Sequence, residues 1–133
     1  MIMVDSSIWI SYFNGDETPE VKYLDSILGI KSLVIGDLIL TEVLQGFRNG
    51  KDYKNAKRLF SSLPVCRLSN EMIALKSADN YRALRKQGIT IRKTIDTIIA
   101  TYCIENKIQL LFSDRDFKPF NKHLGLISAT QTE

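Results

Sequence analysis

The chain reads as an α/β fold: a three-layer sandwich with a mainly parallel central sheet of four to five strands. Three observations carry that expectation. Short apolar runs, Ile2-Met3-Val4, Leu33-Val34-Ile35 and residues 108–112, lack the in–out alternation of a half-exposed sheet. Such runs suit strands buried on both faces. Longer stretches with apolar residues at helical spacing separate them. Strands alternating with helices over 133 residues then imply one domain, spanning 1–133, with a parallel sheet covered by helices.

The elements follow in order. Residues 2–4 form the first buried strand. Ser6 is placed to cap a helix carrying Ile8, Trp9, Tyr12 and Phe13, which Asn14-Gly15-Asp16 breaks. Thr18-Pro19 starts the next helix, with Val21, Leu24, Ile27 and Leu28 on one face and Gly29 beyond its end. After the strand at 33–35, Leu40, Val43, Leu44 and Phe47 mark a helix ending near Asn49-Gly50. A basic amphipathic segment, about 52–62, buries Tyr53, Ala56, Leu59 and Phe60, and Val65 to Leu68 is a weaker strand. A long helix over 70–87 presents Ala74, Leu75, Ala78, Tyr81 and Leu84 and stops at Gly88. Thr94 caps a helix burying Ile95, Ile98, Ile99, Tyr102 and Cys103. The strand at 108–112, a short helix around 116–123 and a last strand at Leu126-Ile127-Ser128 complete the pattern.

Composition excludes several classes. Hydrophobic residues make up 44% and charged residues 25%, enough for a real core, and no repeat or low-complexity tract is visible. No apolar run approaches bilayer length, and Met1 to Asp5 lacks the basic and apolar parts of a signal peptide. Cys66 and Cys103 fit no metal-ligand spacing and read as free thiols, so the expected compartment is the cytoplasm. Net charge is +3, which alone says little about partners. Its distribution says more: Arg82, Arg85, Lys86, Arg92 and Lys93 crowd the approach to Asp96, and Lys51, Lys54, Lys57 and Arg58 form a second group.

Four acidic stations carry the chemistry: Asp5, Glu42, Asp96 and the pair Asp114/Asp116. Asp5 and Asp114 follow apolar strands, at the strand ends where parallel sheets open their ligand crevice. Each station has a plain structural role. Asp5 can cap the following helix, Glu42 and Asp96 suit a first helical turn, and Asp114 with Asp116 suits a strand-to-helix turn. Together at one sheet edge they repel one another and retain protons until a cation neutralises them. An all-oxygen set without histidine favours Mg²⁺ or Mn²⁺, which lowers the pKa of water and offsets charge on a phosphate.

The same residues carry a resemblance. Val4-Asp5-Ser6-Ser7-Ile8-Trp9-Ile10 resembles the opening strand and turn of PIN-domain nucleases. Leu40 to Gly46 around Glu42, Asp96 to Ala100, and Leu110 to Phe117 resemble their further acidic motifs in the same order. The resemblance spans essentially the whole chain and is closest to VapC-type ribonuclease toxins. It implies Asp5 and Asp96 as main metal ligands, with Glu42 and Asp114 completing the pocket as ligands or holders of water. Ser7 would hydrogen-bond within it, and Asp116 would serve the turn or a second metal.

The implied reaction is Mg²⁺-dependent hydrolysis of RNA phosphodiesters, leaving a 5′-phosphate and a 3′-hydroxyl. The implied partners are a small VapB-like antitoxin and a second copy of the chain in a homodimer. Arg82, Arg85, Lys86, Arg92 and Lys93 would guide the RNA backbone, against their plain reading as a solvated helix face. Trp9, Tyr12, Phe13 and Phe47 read as core or subunit contacts rather than base-stacking platforms. His123, the sole histidine, rules out two-histidine catalysis and reads as a surface or capping residue. The rival readings are a metal-dependent phosphatase, a DNA nuclease using the same pocket, and a catalytically silent RNA- or protein-binding module. An aspartyl-nucleophile phosphatase usually carries a second aspartate two residues on, where Ser7 stands, and a silent module would have lost an acidic station.

Overall fold

The computed structural model describes residues 1–113 and 115–130. Strand β1 (Ile2–Val4) leads to helices α1 (Ser6–Phe13) and α2 (Pro19–Ile27), then strand β2 (Leu33–Gly36). Helices α3 (Asp37–Leu44) and α4 (Gly50–Phe60) precede the short strand β3 (Val65–Cys66). Helices α5 (Glu71–Lys86) and α6 (Thr94–Asn106), strand β4 (Gln109–Leu111) and helix α7 (Lys118–His123) follow.

Four parallel strands run in the order β3-β2-β1-β4. Every residue of β1 and β2 is buried, as expected for strands covered on both faces. The chain builds outward from β1 through β2 to β3, then returns to lay β4 on the other side of β1. That reversal makes the β1/β4 boundary the topological switch point, where a crevice opens beyond the strand ends.

Several elements differ from the sequence expectation. The last strand reduces to one bridge, Ser128 to Leu110. Before that bridge, the Asn121 side-chain amide donates to the Leu126 carbonyl at 2.7 Å. Asp5 rather than Ser6 caps α1, its carboxylate accepting from the Ser7 N–H. The Ser6 hydroxyl is instead donated to Glu42 at 2.7 Å. Lys93 occupies the cap position of α6, with Thr94 inside the helix. Helix α3 begins at Asp37, directly after β2, which puts Glu42 in the second turn rather than the first.

Burial also departs from simple periodicity. Helix α5 buries Ile73, Ser77 and Leu84, while Leu75 is exposed. Tyr53 and Ile95 are exposed as well. Helix α6 buries Asp96, Thr97, Ile99, Ala100, Thr101 and Cys103, more than one stripe, because it is packed against β4 and α5. An Asn80–Thr101 hydrogen bond at 2.9 Å and a Lys76–Glu105 ion pair at 3.0 Å join α5 to α6. Trp9 is fully buried and meets Phe60 edge-on at 5.0 Å, with Phe13 and Phe47 continuing the aromatic cluster.

Gly36 is the one position where β2 requires glycine for space. A Cβ there would sit 2.5 Å from Leu68 Cδ1, and Leu68 is fully buried. The close approach lets the Asp37 carboxylate accept from the Leu38 and Leu68 N–H groups at 2.8 and 3.2 Å. The β2–α3 turn and the segment after β3 are thereby fixed together.

Candidate active site

Asp5 stands at the end of β1, on the switch point itself. Its N–H donates to the Leu111 carbonyl of β4 at 3.0 Å, so the sheet ladder sets its backbone. The residue is 4% exposed. The Ser7 hydroxyl donates to Asp5 Oδ2 at 2.7 Å, which orients the carboxylate. Burial pushes the Asp5 carboxyl above its ordinary value, bonds from Ser7 and Ser6 oppose the rise, and the Glu42 charge adds to it. Among the described residues, no cation pairs with Asp5.

Glu42 reaches the same turn from α3. Its Oε1 accepts from the Ser6 hydroxyl at 2.7 Å. Two adjacent serines after a strand-end aspartate thus hold two carboxylates, Ser7 the near one and Ser6 the distant one. Sequence reasoning assigned Ser7 and missed Ser6; the Ser6-Ser7 doublet was the available signal.

Asp96 sits in the first turn of α6 and is buried. Helix α6 runs back along the sheet before β4, and Cys103 lies 3.8 Å from Met3 sulfur to sulfur. Asp96 precedes Cys103 by two helical turns, ~10 Å, and Asp5 follows Met3 by two strand residues, ~7 Å. Both carboxylates therefore lie toward the same sheet edge. Asp114 lies outside the described residues. Among those described, no three acidic, histidine or cysteine side chains gather into a metal cluster. The pairing on view is Asp5 with Glu42, with Asp96 on the same edge.

Asp116 behaves differently. It is buried, and Arg92 Nη2 binds its Oδ2 at 3.0 Å. This bond ties the segment before α6 to the turn after β4. Arg92, expected to guide a substrate, holds a carboxylate instead. The other expected guides divide: Arg85 lies over the Tyr81 ring at 5.6 Å, Arg82 borders an apolar groove with Tyr81, Thr97 and Ile98, and Lys86 and Lys93 are exposed.

The family model described as the PIN domain matches residues 2–122. The chain belongs to the PIN-domain family. A protein named ribonuclease VapC11 from Mycobacterium tuberculosis is 27% identical over 132 residues, covering 98% of both chains. Two solved structures share the PIN-domain fold. VapBC2 from Rickettsia felis, bound to a promoter DNA fragment, has TM-score 0.73 at 20% identity, covering 96% of this chain and 97% of that one. VapBC-1 from nontypeable Haemophilus influenzae has TM-score 0.72 at 22% identity, covering 96% of each. Among the described residues of this PIN-domain chain, no helix is long and apolar enough to cross a membrane.

Proposed function

We propose that this PIN-domain chain is an endoribonuclease hydrolysing RNA phosphodiester bonds, the toxin of a toxin–antitoxin pair. The observation that carries the reading is Asp5: a buried carboxylate at the switch point, oriented by Ser7, facing the charge of Glu42, with no cation of the described chain beside it. Such a group is stable as a carboxylate only when a cation joins it. The name of the M. tuberculosis relative and its coverage of the whole chain support the ribonuclease activity. The likeness to the VapBC structures supports a small VapB-like antitoxin as partner.

Asp5 and Asp96 are the proposed principal metal ligands, Asp114 is proposed as a third, and Glu42 as further ligand or holder of water. The donor chemistry fits Mg²⁺, or Mn²⁺, because every proposed ligand is a carboxylate oxygen. When bound, the ion supplies an acidified water and positive charge against the phosphate under attack. Ser7 keeps Asp5 oriented, and Ser6 keeps Glu42 aimed at the same turn. The products are a 5′-phosphate and a 3′-hydroxyl. Arg92 neutralises Asp116 and so fixes the turn after β4. Arg82, Arg85, Lys86 and Lys93 remain candidate contacts to the RNA backbone. The working assembly is a homodimer of single-domain chains in the cytoplasm.

The test is cleavage of a broad RNA panel with Mg²⁺ or Mn²⁺, comparing wild type with Asp5→Asn and Asp96→Asn. Metal-dependent cleavage lost in both variants is the expected result. Cleavage unchanged in both, or absent from wild type with either metal, overturns the reading.

A further inference from the structure

A wide concavity lies beside this edge, not within it. A cavity of about 760 Å³ opens between α7, the β4 exit and the start of α2. Arg115, Lys118 and Lys122 line it, and all three are exposed. Glu20 is the one acid in its lining among the described residues. Phe112 and Ile89 supply apolar surface. None of the three cations makes an ion pair among the described residues, in contrast to Arg92.

Position gives the cavity its meaning. Phe112 is the residue after Leu111, whose carbonyl accepts the Asp5 N–H. The cavity therefore begins one residue beyond the peptide that anchors Asp5. Lys118 and Lys122 are one turn apart on α7, ~6 Å along its axis, which suits successive phosphates of one strand better than a single small anion. An apolar wall beside spaced cations is the combination that holds single-stranded nucleic acid: charge tracks the backbone and an unpaired base covers the apolar surface.

We infer that the α7 cavity, through Arg115, Lys118 and Lys122, binds the single-stranded RNA that flanks the bond to be cut. The inference rests on the ribonuclease reading and adds the path of the substrate. It shifts the main phosphate contacts from the α5 cations to α7. Helix α5 is the weaker surface: Arg85 is engaged with Tyr81, and Arg82 borders a groove whose lining is mainly apolar.

The experiment measures binding without cleavage. Full-length protein in EDTA is titrated into a fluorescein-labelled, mixed-sequence single-stranded oligoribonucleotide, and anisotropy is followed over a salt series. Lys118→Gln/Lys122→Gln is expected to weaken binding about tenfold or more. The slope of log affinity against log salt should become shallower by about 1.4, the share of two phosphate contacts on a single strand. Arg115→Gln should act in the same direction, while the remote α4 pair Lys51→Gln/Lys54→Gln stays within about twofold. Thermal midpoints equal to wild type establish that the variants fold. Wild-type affinity in a folded Lys118/Lys122 variant overturns the inference, as does an equal loss in the α4 control or no RNA binding by wild type. Loss of poly-glutamate peptide binding with RNA binding intact also overturns it, by assigning the cavity to an acidic protein segment. Cleavage by wild type and Asp5→Asn, run in parallel with metal, separates the two failures. A wild type that cleaves while the α7 variant binds normally removes the path and leaves the ribonuclease reading standing.

Discussion

Asp5 and Asp116 are the same residue type, nearly equally buried at 4% and 8% exposure, and both lie at the strand-exit edge of one sheet. Asp116 is met by a guanidinium of its own chain, Arg92 at 3.0 Å. Asp5 is met by a serine hydroxyl and faces a second carboxylate. The first arrangement neutralises charge internally and fastens a turn. The second leaves burial uncompensated, so it is stable only as a protonated acid or beside an added cation. Burial of a carboxylate therefore does not mark a catalytic site; the neighbour that answers its charge decides.

The comparison breaks most visibly at Asp5. Asp5→Asn should lower metal-dependent RNA cleavage by at least about 100-fold, since losing a direct ligand exceeds the 10- to 100-fold typical of outer-shell losses. Asp116→Asn should lower it far less. Equal losses in a single-turnover cleavage assay would erase the distinction.

Metal itself gives the next largest effect. Mg²⁺ or Mn²⁺ at about 100 times its dissociation constant should stabilise wild type by ~2.7 kcal/mol. EDTA should reverse this, and Asp5→Asn should abolish it while Asp116→Asn retains it. Thermal unfolding with and without metal reads the difference.

The metal-free protein offers a pH test with a definite sign. The folded Asp5 carboxyl holds its proton to higher pH than the unfolded one, so between the two values the native state binds more protons. Stability then falls as pH rises from about the ordinary aspartate value of 3.8 through the raised folded value, by up to ~1.4 kcal/mol per pH unit. Urea midpoints in EDTA should show this fall in wild type and a flatter limb in Asp5→Asn. The variant should also be the more stable protein at neutral pH. An equally steep limb in both would remove Asp5 as its source.

Smaller effects belong to the partners. Arg92→Gln should cost ~1 kcal/mol, because its side chain is 64% exposed and water screens part of the pair. Adding Asp116→Asn should recover part of that loss in a double-mutant cycle. Ser6→Ala should cost ~0.5–1 kcal/mol by releasing Glu42, with a cleavage loss smaller than that of Asp5→Asn.

Much of this was legible from residue order. The runs at 2–4 and 33–35 announced buried parallel strands because burial on both faces needs apolar side chains at every position, and the run at 108–112 did so despite the exposed Gln109 at the start of β4. Thr18-Pro19 and Gly88 located helix ends because cap chemistry is local. The placing of Asp5 was legible for the same reason: a carboxylate directly after an apolar strand is conspicuous in one dimension. Helix faces were read less well. Leu75 and Ile95 looked like core by spacing and are exposed, while Ser77 and Thr97 are buried, since the packing of α5 against α6 selects the face.

The chain's own order of residues thus determined the α/β class, the strand-end carboxylates and the family to which they belong. Tertiary structure alone decided that β4 returns beside β1 and makes Asp5 a switch-point residue. It also decided that Ser6 reaches Glu42 across 36 positions and Arg92 reaches Asp116 across 24. Capping, turns and burial patterns act within a few residues and leave local marks. The neutralisation of a buried charge depends on which distant side chain arrives beside it, and spacing along the chain carries no record of that meeting.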